Sequence, residues 1–271
     1  MRYYLRSIVV VALAVAAALL AAPGSASAAA SRVGYDVSYP QCGTTLPTGQ
    51  AFGVVGVNGG LSTKTNDCLA EQLAWAWRSS GVVASQPKAQ LYLNTANPGE
   101  LLDQVVTWPT AGVTPYGTCT GTNSLACSWR YGYERAENSV VSFFTPAAHA
   151  ASVDSQPSRY LWWLDVETQN TWQSGSSAAL ARNRATLEGM TAYLVSRGAK
   201  VGIYSTRYQW SHIAGAVSPY SNLAGRPNWL AGSTSLTAAT AACTTTPLVP
   251  RGRVTLSQYV VSSLDYDYSC R

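Results

Sequence analysis

The sequence predicts an α/β fold, a (β/α) barrel of the TIM type, for three reasons. Two kinds of apolar segment alternate along the chain, short runs rich in β-branched and aromatic residues and longer segments with helical spacing, as in parallel β/α units. Several short runs, such as VVGV and WWL, are continuously apolar, which is typical of strands buried on both faces. Beyond residue 30 the chain keeps 241 of its 271 residues, close to the roughly 250 of such barrels.

A doubly wound open sheet is the main alternative fold. It would normally show a glycine-rich phosphate-binding loop after its first strand. The corresponding stretch here, Asn58-Gly59-Gly60, does not have that pattern. We therefore expect a barrel and no nucleotide cofactor.

The first 30 residues are predicted to be a secretory signal peptide. Arg2 and Arg6 precede an apolar run at 8–20, and small residues follow at 25–30. The apolar run is shorter than the roughly 20 residues of a spanning helix, although an uncleaved anchor is the alternative. Residues 31–271 are then predicted to form a single secreted, extracellular domain with no membrane attachment after cleavage.

The first part of the predicted barrel contains three strands and two helices. Strands are expected at 33–38 (VGYDVS), at 52–57 (FGVVGV) and at 89–94 (AQLYLN), because each is a short apolar run. Helices are expected at 67–80 and 129–148, where apolar residues recur every three or four positions.

The second part repeats the alternation. The near-continuous apolar run 159–167 is a strand, and 176–198 is the clearest helix, because it starts among small polar residues and stops at Gly198. A short helix is expected at 208–214. The remaining strands are predicted at 200–205, 228–231 and 254–259.

The segment 105–128 interrupts this pattern. It is rich in Gly, Thr and Pro and contains two of the cysteines. We predict a long surface loop that lies over one end of the barrel and forms a wall of its cleft.

The cysteine content indicates an exported, oxidised protein. Six cysteines allow fifteen connectivities, and proximity along the chain favours the pairs Cys42–Cys68, Cys119–Cys127 and Cys243–Cys270. A zinc site is the alternative, but there is no CxxC, and His149 and His212 have no cysteine at ligand spacing. We expect no metal and no cofactor.

Carboxylates recur at the ends of predicted strands, although only 13 residues of the chain are acidic. Asp36 ends the first strand, and Asp165 and Glu167, two residues apart, end the central one and would face the same side. Asp265 and Asp267 come just before the C-terminus. The carboxyl ends of barrel strands meet at one mouth, and paired carboxylates there are what glycosidic bond cleavage requires.

The ordered set of motifs resembles glycoside hydrolase family 25, the N-acetylmuramidases or lysozymes. The matching pieces are Gly34-Tyr35-Asp36-Val37-Ser38, Asp165-Val166-Glu167, Gln258-Tyr259 and Asp265-Tyr266-Asp267, with the strands VGIYS and NWLA between them in the family's order. The resemblance covers most of residues 33–269 and implies an irregular barrel that cleaves the β-1,4 bond between MurNAc and GlcNAc in bacterial peptidoglycan.

The resemblance also implies roles for individual residues. Glu167 would be the general acid, and Asp165 would assist at the anomeric centre, with Asp36 and Asp265 completing the acidic floor. Four further residues would bind the substrate: Tyr204, Trp229, Tyr259 and Asp267.

Two other functions remain open. The third strand continues Tyr92-Leu93-Asn94, where the family often has an aromatic-His-aromatic stretch, and Ser257 stands where the family tends to place Trp. The protein could therefore bind cell-wall glycan without cleaving it, or could hydrolyse a different polysaccharide. The formal charge is +5, and two of the positive charges are the signal arginines. Such a mild excess is far from the charge of a nucleic-acid-binding surface, so we expect no nucleic-acid partner. We expect a monomer whose partner is cell-wall polysaccharide.

Overall fold

A computed structural model describes residues 32–262 and 264–271, so the predicted signal peptide and its boundary lie outside the described residues. Eight strands close a barrel in the order β1-β2-β3-β6-β7-β8-β9-β10. They are β1 Val33–Val37, β2 Gly53–Gly56, β3 Ala89–Asn94, β6 Leu161–Asp165, β7 Lys200–Ser205, β8 Pro227–Ser233, β9 Arg253–Val261 and β10 Leu264–Ser269. The predicted α/β barrel is confirmed.

The barrel departs from the parallel pattern at one strand, β10, which closes the barrel between β9 and β1 and which we call the seam strand. Seven strands run parallel, as predicted, but β10 is antiparallel to both of its neighbours, β9 and β1. This eighth strand is not among the predicted ones, because LDYDYS alternates acidic and aromatic residues and lacks a continuous apolar run. Since β10 runs backwards, its first residues lie at the mouth where the parallel strands end.

Six α-helices pack outside the barrel in the described part of the chain. They are α1 Leu69–Trp77, α2 Leu125–Asn138, α3 Thr145–Ala150, α4 Ser177–Ser196, α5 Arg207–Ile213 and α6 Leu236–Ala242. A π-helical turn, Ser139–Phe144, joins α2 to α3, so the helix predicted at 129–148 is one continuous helical stretch. Helix α4 begins as the sequence indicates, because the Ser176 hydroxyl accepts a hydrogen bond from the Ala179 amide.

Two apolar layers hold the barrel together. The larger lies between helices and strands and includes Phe144, Leu187 and the outward-facing Trp162. The smaller fills the barrel interior around Trp163 and Trp229, whose rings meet edge to face at a centroid distance of 5.7 Å. Adjacent residues of β6 thus pack on opposite sides of the sheet, as strand geometry requires.

The segment 105–128 is more ordered than predicted. It contains a hairpin of two short strands, β4 Val113–Thr114 and β5 Gly117–Thr118, and it runs into α2 at Leu125. Trp108 stacks on Tyr131 at a centroid distance of 5.4 Å and forms a small core with the Cys119–Cys127 disulfide.

All three predicted disulfides are confirmed. Cys42–Cys68, Cys119–Cys127 and Cys243–Cys270 are bonded. The last pair joins the end of α6 to the residue after β10, so it ties the seam strand to the outer layer. Over residues 32–262 and 264–271, no helix has the length and apolar character needed to cross a membrane.

Candidate active site

Four carboxyl groups converge at the carboxyl-end mouth of the barrel, and a fifth, that of Asp267, is buried below them. Asp36 lies near the end of β1, Asp165 is the last residue of β6, and Glu167 follows two residues later. Asp265 and Asp267 come from the antiparallel β10, in which Asp265 pairs directly with Asp36. The predicted meeting of the three acidic segments is therefore present, but β10 reaches the mouth by its beginning and not by its end.

Four of these carboxyl groups surround a polar pocket of about 330 Å³. It lies within the size range of small-molecule sites. The pocket is lined by Asp36, Pro40, Tyr92, Asp165, Glu167, Gln169, Tyr204, Trp229, Gln258 and Asp265.

Asp36 is held by a chain of hydrogen bonds. The Tyr204 hydroxyl donates to Oε1 of Gln258 at 2.9 Å, and Nε2 of Gln258 donates to Oδ2 of Asp36 at 2.9 Å. Burial raises the pKa of Asp36 to about 7, with a further contribution from the charge of Asp265. Asp36 therefore titrates near neutral pH.

Asp165 is almost completely buried, with 3% of its surface exposed. Its Oδ2 accepts a hydrogen bond from Asn94 at 3.4 Å, whereas Oδ1 is buried without a hydrogen-bond partner. Burial raises the pKa of Asp165 well above its usual value, and the charges of Glu167 and Asp36 add to the effect. An unpaired, buried carboxyl oxygen is costly, and at a pocket floor it is available to a ligand.

Glu167 is the more accessible member of the pair, because it is only half-buried. The loop that carries it is fixed by the Trp172 indole, which donates to the Glu167 carbonyl at 3.0 Å. Burial raises the pKa of the Glu167 carboxyl, the charge of Asp265 raises it further, and a hydrogen bond from Gln209 opposes both.

These carboxylates are not structural ion-pair partners. Among the described residues the salt bridges are Arg130–Glu134 and Arg159–Asp154, both away from the pocket. Arg207, a conceivable partner of the Asp165–Glu167 pair, donates to Thr245 instead. Without nearby cations, the groups retain their protons at higher pH than isolated carboxyls do.

Two predicted substrate-binding residues lie away from the pocket surface. Asp267 is completely buried and faces the Asp36 carboxyl and the Trp229 indole, with no hydrogen bond of good geometry to either. Tyr259 lies on the outer face of β9, where its ring stacks on Tyr266 at 5.1 Å, because its neighbour Gln258 faces inward. Neither residue lines the acidic pocket, so substrate binding by Tyr259 and Asp267 stays a prediction.

Two aromatic residues that were predicted to bind substrate lie at the pocket. Tyr204 and Trp229 line the pocket, with their ring centroids 4.3 Å apart. Tyr92 also lines it and was not predicted. Its place in AQLYLN, two residues from both Gln90 and Asn94, was a usable signal, since these three positions share one face of β3.

The segment 105–128 does not form a wall of the acidic pocket, contrary to the prediction. Residues 104–107 instead line a separate recess of about 370 Å³ together with Asn170 and Thr171, which follow Glu167 in the chain. The hairpin lies elsewhere, because the Tyr116 hydroxyl donates to Glu188 on α4.

Other features of the described residues do not suggest a different centre. Over these ranges no group of three or more His, Cys, Asp or Glu side chains is arranged to hold a metal ion. A larger cavity of about 510 Å³ lies at the opposite end of the barrel, near the starts of β6, β7 and β8, and its lining contains no carboxylate. Acid–base chemistry is therefore better supported at the mouth.

Comparisons with known proteins found a family model that matches part of the chain. Residues 152–229 match the family model Lys-1, lysozyme-like protein 1. This segment contains Asp165, Glu167, Tyr204 and Trp229. No curated protein sequence matches the chain.

Three solved structures are similar to the fold. The muramidases from Trichobolus zukalii and Acremonium alcalophilum each have a TM-score of 0.50, with 16% and 17% sequence identity, over 88% of this chain and 92% of theirs. The bacterial lysozyme from Streptomyces coelicolor has a TM-score of 0.48 and 16% identity, over 88% of this chain and 91% of its own. The chain is thus similar to a lysozyme-like family in its central segment, and its barrel is similar to those of the two muramidases.

Proposed function

We propose that this protein is a secreted, extracellular glycosidase of the muramidase type, which cleaves the β-1,4 bond between MurNAc and GlcNAc in peptidoglycan. The observation that carries the proposal is the convergence of Asp36, Asp165, Glu167 and Asp265 on one polar pocket. The lysozyme-like match over residues 152–229 and the resemblance to family 25 support the same substrate class.

In this proposal Glu167 is the general acid. Its carboxyl is the accessible one of the pair, and its pKa is raised by burial and by the charge of Asp265. A carboxyl with a raised pKa is protonated over more of the neutral range and can donate its proton to the leaving glycosidic oxygen. Asp265 acts on this step through its charge.

Asp165 would act on the other side of the bond, at the anomeric carbon. Its unpartnered Oδ1 could accept a hydrogen bond from the substrate's N-acetyl group and orient that group towards the developing positive charge. Tyr204, whose ring packs on the buried ring of Trp229, provides an aromatic wall for a sugar ring, while Gln258 keeps Asp36 in place.

The test is the release of reducing ends from purified peptidoglycan. Glu167→Gln keeps the shape of the side chain but cannot donate a carboxyl proton, so we expect a loss of roughly 10²- to 10⁴-fold in kcat. Glu137→Gln is the matched control, because Glu137 is exposed on α2, away from the pocket. Full activity in Glu167→Gln would disprove the assignment of the acid.

Two alternatives would give different results in the same assay. A protein that binds peptidoglycan without cleaving it would sediment with the polymer and release no reducing ends. A glycosidase for another polysaccharide would release them from that polymer only.

A further inference from the structure

A further recess, distinct from those described above, lies on the outer flank of the barrel, between the hairpin and two helices. It measures about 370 Å³, within the range of small-ligand sites. We call it the flank recess; its lining residues are Pro115, Tyr116, Trp129, Glu188, Ser218, Tyr220, Ser221 and Asn222. It shares no residue with the acidic pocket.

Aromatic side chains at the flank recess are unusually exposed. Tyr220 is 96% exposed and Tyr116 is 42% exposed. Trp129 is half-buried, and its ring stacks on Tyr133 at a centroid distance of 5.3 Å. Adjacent exposed aromatic rings are uncommon on a protein surface unless they contact a partner or ligand, and flat rings of this kind pack well against the apolar face of a sugar.

Glu188 connects the walls of the recess. Its carboxylate accepts hydrogen bonds from the Tyr116 hydroxyl and from Oγ of Ser221, the latter at 2.6 Å, and its carbonyl accepts one from Asn222 at 2.9 Å. These contacts fix the hairpin and the loop that carries Tyr220 against α4. Each carboxylate oxygen accepts one of these hydrogen bonds, so each has a second lone pair for a sugar hydroxyl.

The charge of the recess limits the ligand. Its lining contains one carboxylate and neither Lys nor Arg. A phosphate group would find no cationic partner in this lining, whereas an uncharged pyranose ring would find aromatic surface together with carboxylate and amide groups. The combination fits a neutral sugar better than a phosphate-rich polymer.

We propose that the flank recess is a second, non-catalytic glycan-binding site, which takes a sugar ring of the cell-wall chain against Tyr220 and Trp129 and hydrogen-bonds its hydroxyls through Glu188 and Asn222. The substrate class rests on the proposed function. The site would hold the enzyme on an insoluble polymer while the acidic pocket acts on a different stretch of chain, and the 105–128 segment supplies one of its walls.

The test is co-sedimentation with insoluble peptidoglycan in a Glu167→Gln background, which removes turnover. We compare this protein with versions that also carry Tyr220→Ala, Tyr220→Phe or Tyr208→Ala. Tyr208 is the matched control, since it is 68% exposed on α5 and lines neither site. Tyr220 is too exposed for its replacement to endanger folding.

We expect Tyr220→Ala to weaken binding roughly five- to tenfold, the effect of one lost aromatic stack. Tyr220→Phe keeps the ring and should restore most of the binding, and Tyr208→Ala should not change it. The inference would be overturned if the two alanine variants bound peptidoglycan equally well, or if Tyr220→Phe bound no better than Tyr220→Ala. It would also be overturned if the parent protein did not bind. None of these results decides the proposed function, which is tested separately by reducing-end release from soluble peptidoglycan fragments.

Discussion

Asp265 is expected to set the upper pH limit of activity through Glu167. Its charge raises the pKa of Glu167 in addition to the effect of burial, and Glu167 must be protonated to act as the acid. In Asp265→Asn that charge is absent, so the pKa of Glu167 should fall and the alkaline limb of the kcat/KM profile should move to lower pH. The profile is measured on soluble peptidoglycan fragments.

The matched control for this prediction is Asp154→Asn, because Asp154 is half-buried and paired with Arg159 far from the mouth. Its pH profile should coincide with that of the wild type. An alkaline limb that stays in place or moves upward in Asp265→Asn would contradict the proposed coupling.

Because of Asp267, the free energy of unfolding is expected to fall as the pH rises. Burial raises its pKa well above the usual value, so the folded state holds a proton that the unfolded chain releases. The favourable contribution is therefore present in acid and is lost as the pH rises from the unfolded value, near 3.8, towards the folded pKa. Asp267→Asn, which mimics the protonated carboxyl, should be more stable than the wild type at pH 8 by about 1–4 kcal/mol.

The difference should shrink at pH 4, where the carboxyl is protonated in more of the unfolded chain as well. Urea unfolding of both proteins at the two pH values measures it. If Asp267→Asn were less stable than the wild type at pH 8, the buried carboxyl would be making favourable interactions in its ionised form.

For single residues, the sequence predicted which side chains carry the chemistry better than it predicted the face of the strand on which each side chain lies. Asp36, Asp165 and Glu167 could be predicted because each lies at or just beyond the end of a recognisable strand. Tyr259 could not be placed, because alternation allows either face until the inward position of Gln258 is known, and a shift of one residue reverses both. The depth of Asp267 depends on its pairing with Gly34, deep in β1.

Among the elements, the crossing of α2 and α4 depends on two glycines. A Cβ at Gly132 would lie 1.9 Å from the Thr186 carbonyl oxygen, and one at Gly189 would lie 2.0 Å from that of Trp129. Both obstacles are backbone atoms, so the helices would have to separate. We expect Gly132→Ala or Gly189→Ala to cost about 3 kcal/mol, measured by urea unfolding.

Glu137→Ala is the control for the helix crossing, since it changes the exposed side of the same helix α2. It should alter stability by less than about 0.5 kcal/mol. A glycine variant as stable as this control would show that the two helices can move apart at little cost.

Two elements that the sequence did not predict, α6 and β10, were missed for the same physical reason. Helix α6 (LTAATAA) has few large apolar residues, and β10 has an acidic residue at alternate positions, so neither produces a strong hydrophobic pattern. Their places depend on long-range partners, namely the Cys243–Cys270 bond and the pairing of β10 with β1. By contrast, β3 and β7 have the predicted bounds, because each is a compact apolar run flanked by breakers.

For the molecule as a whole, the strands that close the barrel also supply residues of the acidic pocket, so the pocket forms only when the barrel closes. The seam strand β10 contributes Asp265, while its neighbours β1 and β9 contribute Asp36 and Gln258. The three strands join the first and last described segments of the chain. Loss of the seam would therefore remove Asp36 and Asp265 from the pocket and leave in place Asp165, at the end of β6, and Glu167, just beyond it.

The Cys243–Cys270 disulfide is expected to stabilise this seam most strongly. It closes a loop of 27 residues, against 8 for Cys119–Cys127. Chain entropy alone gives roughly 3.5 kcal/mol for the longer loop and roughly 2.5 kcal/mol for the shorter one.

Replacing both cysteines of the 243–270 pair by serine should lower the urea midpoint more than the same change in the 119–127 pair. It should also abolish reducing-end release at temperatures where the 119–127 variant remains active, because an open seam displaces Asp36 and Asp265 from Glu167. Equal midpoints and equal activity losses in the two variants would mean that the seam is not the part of the barrel on which the pocket depends.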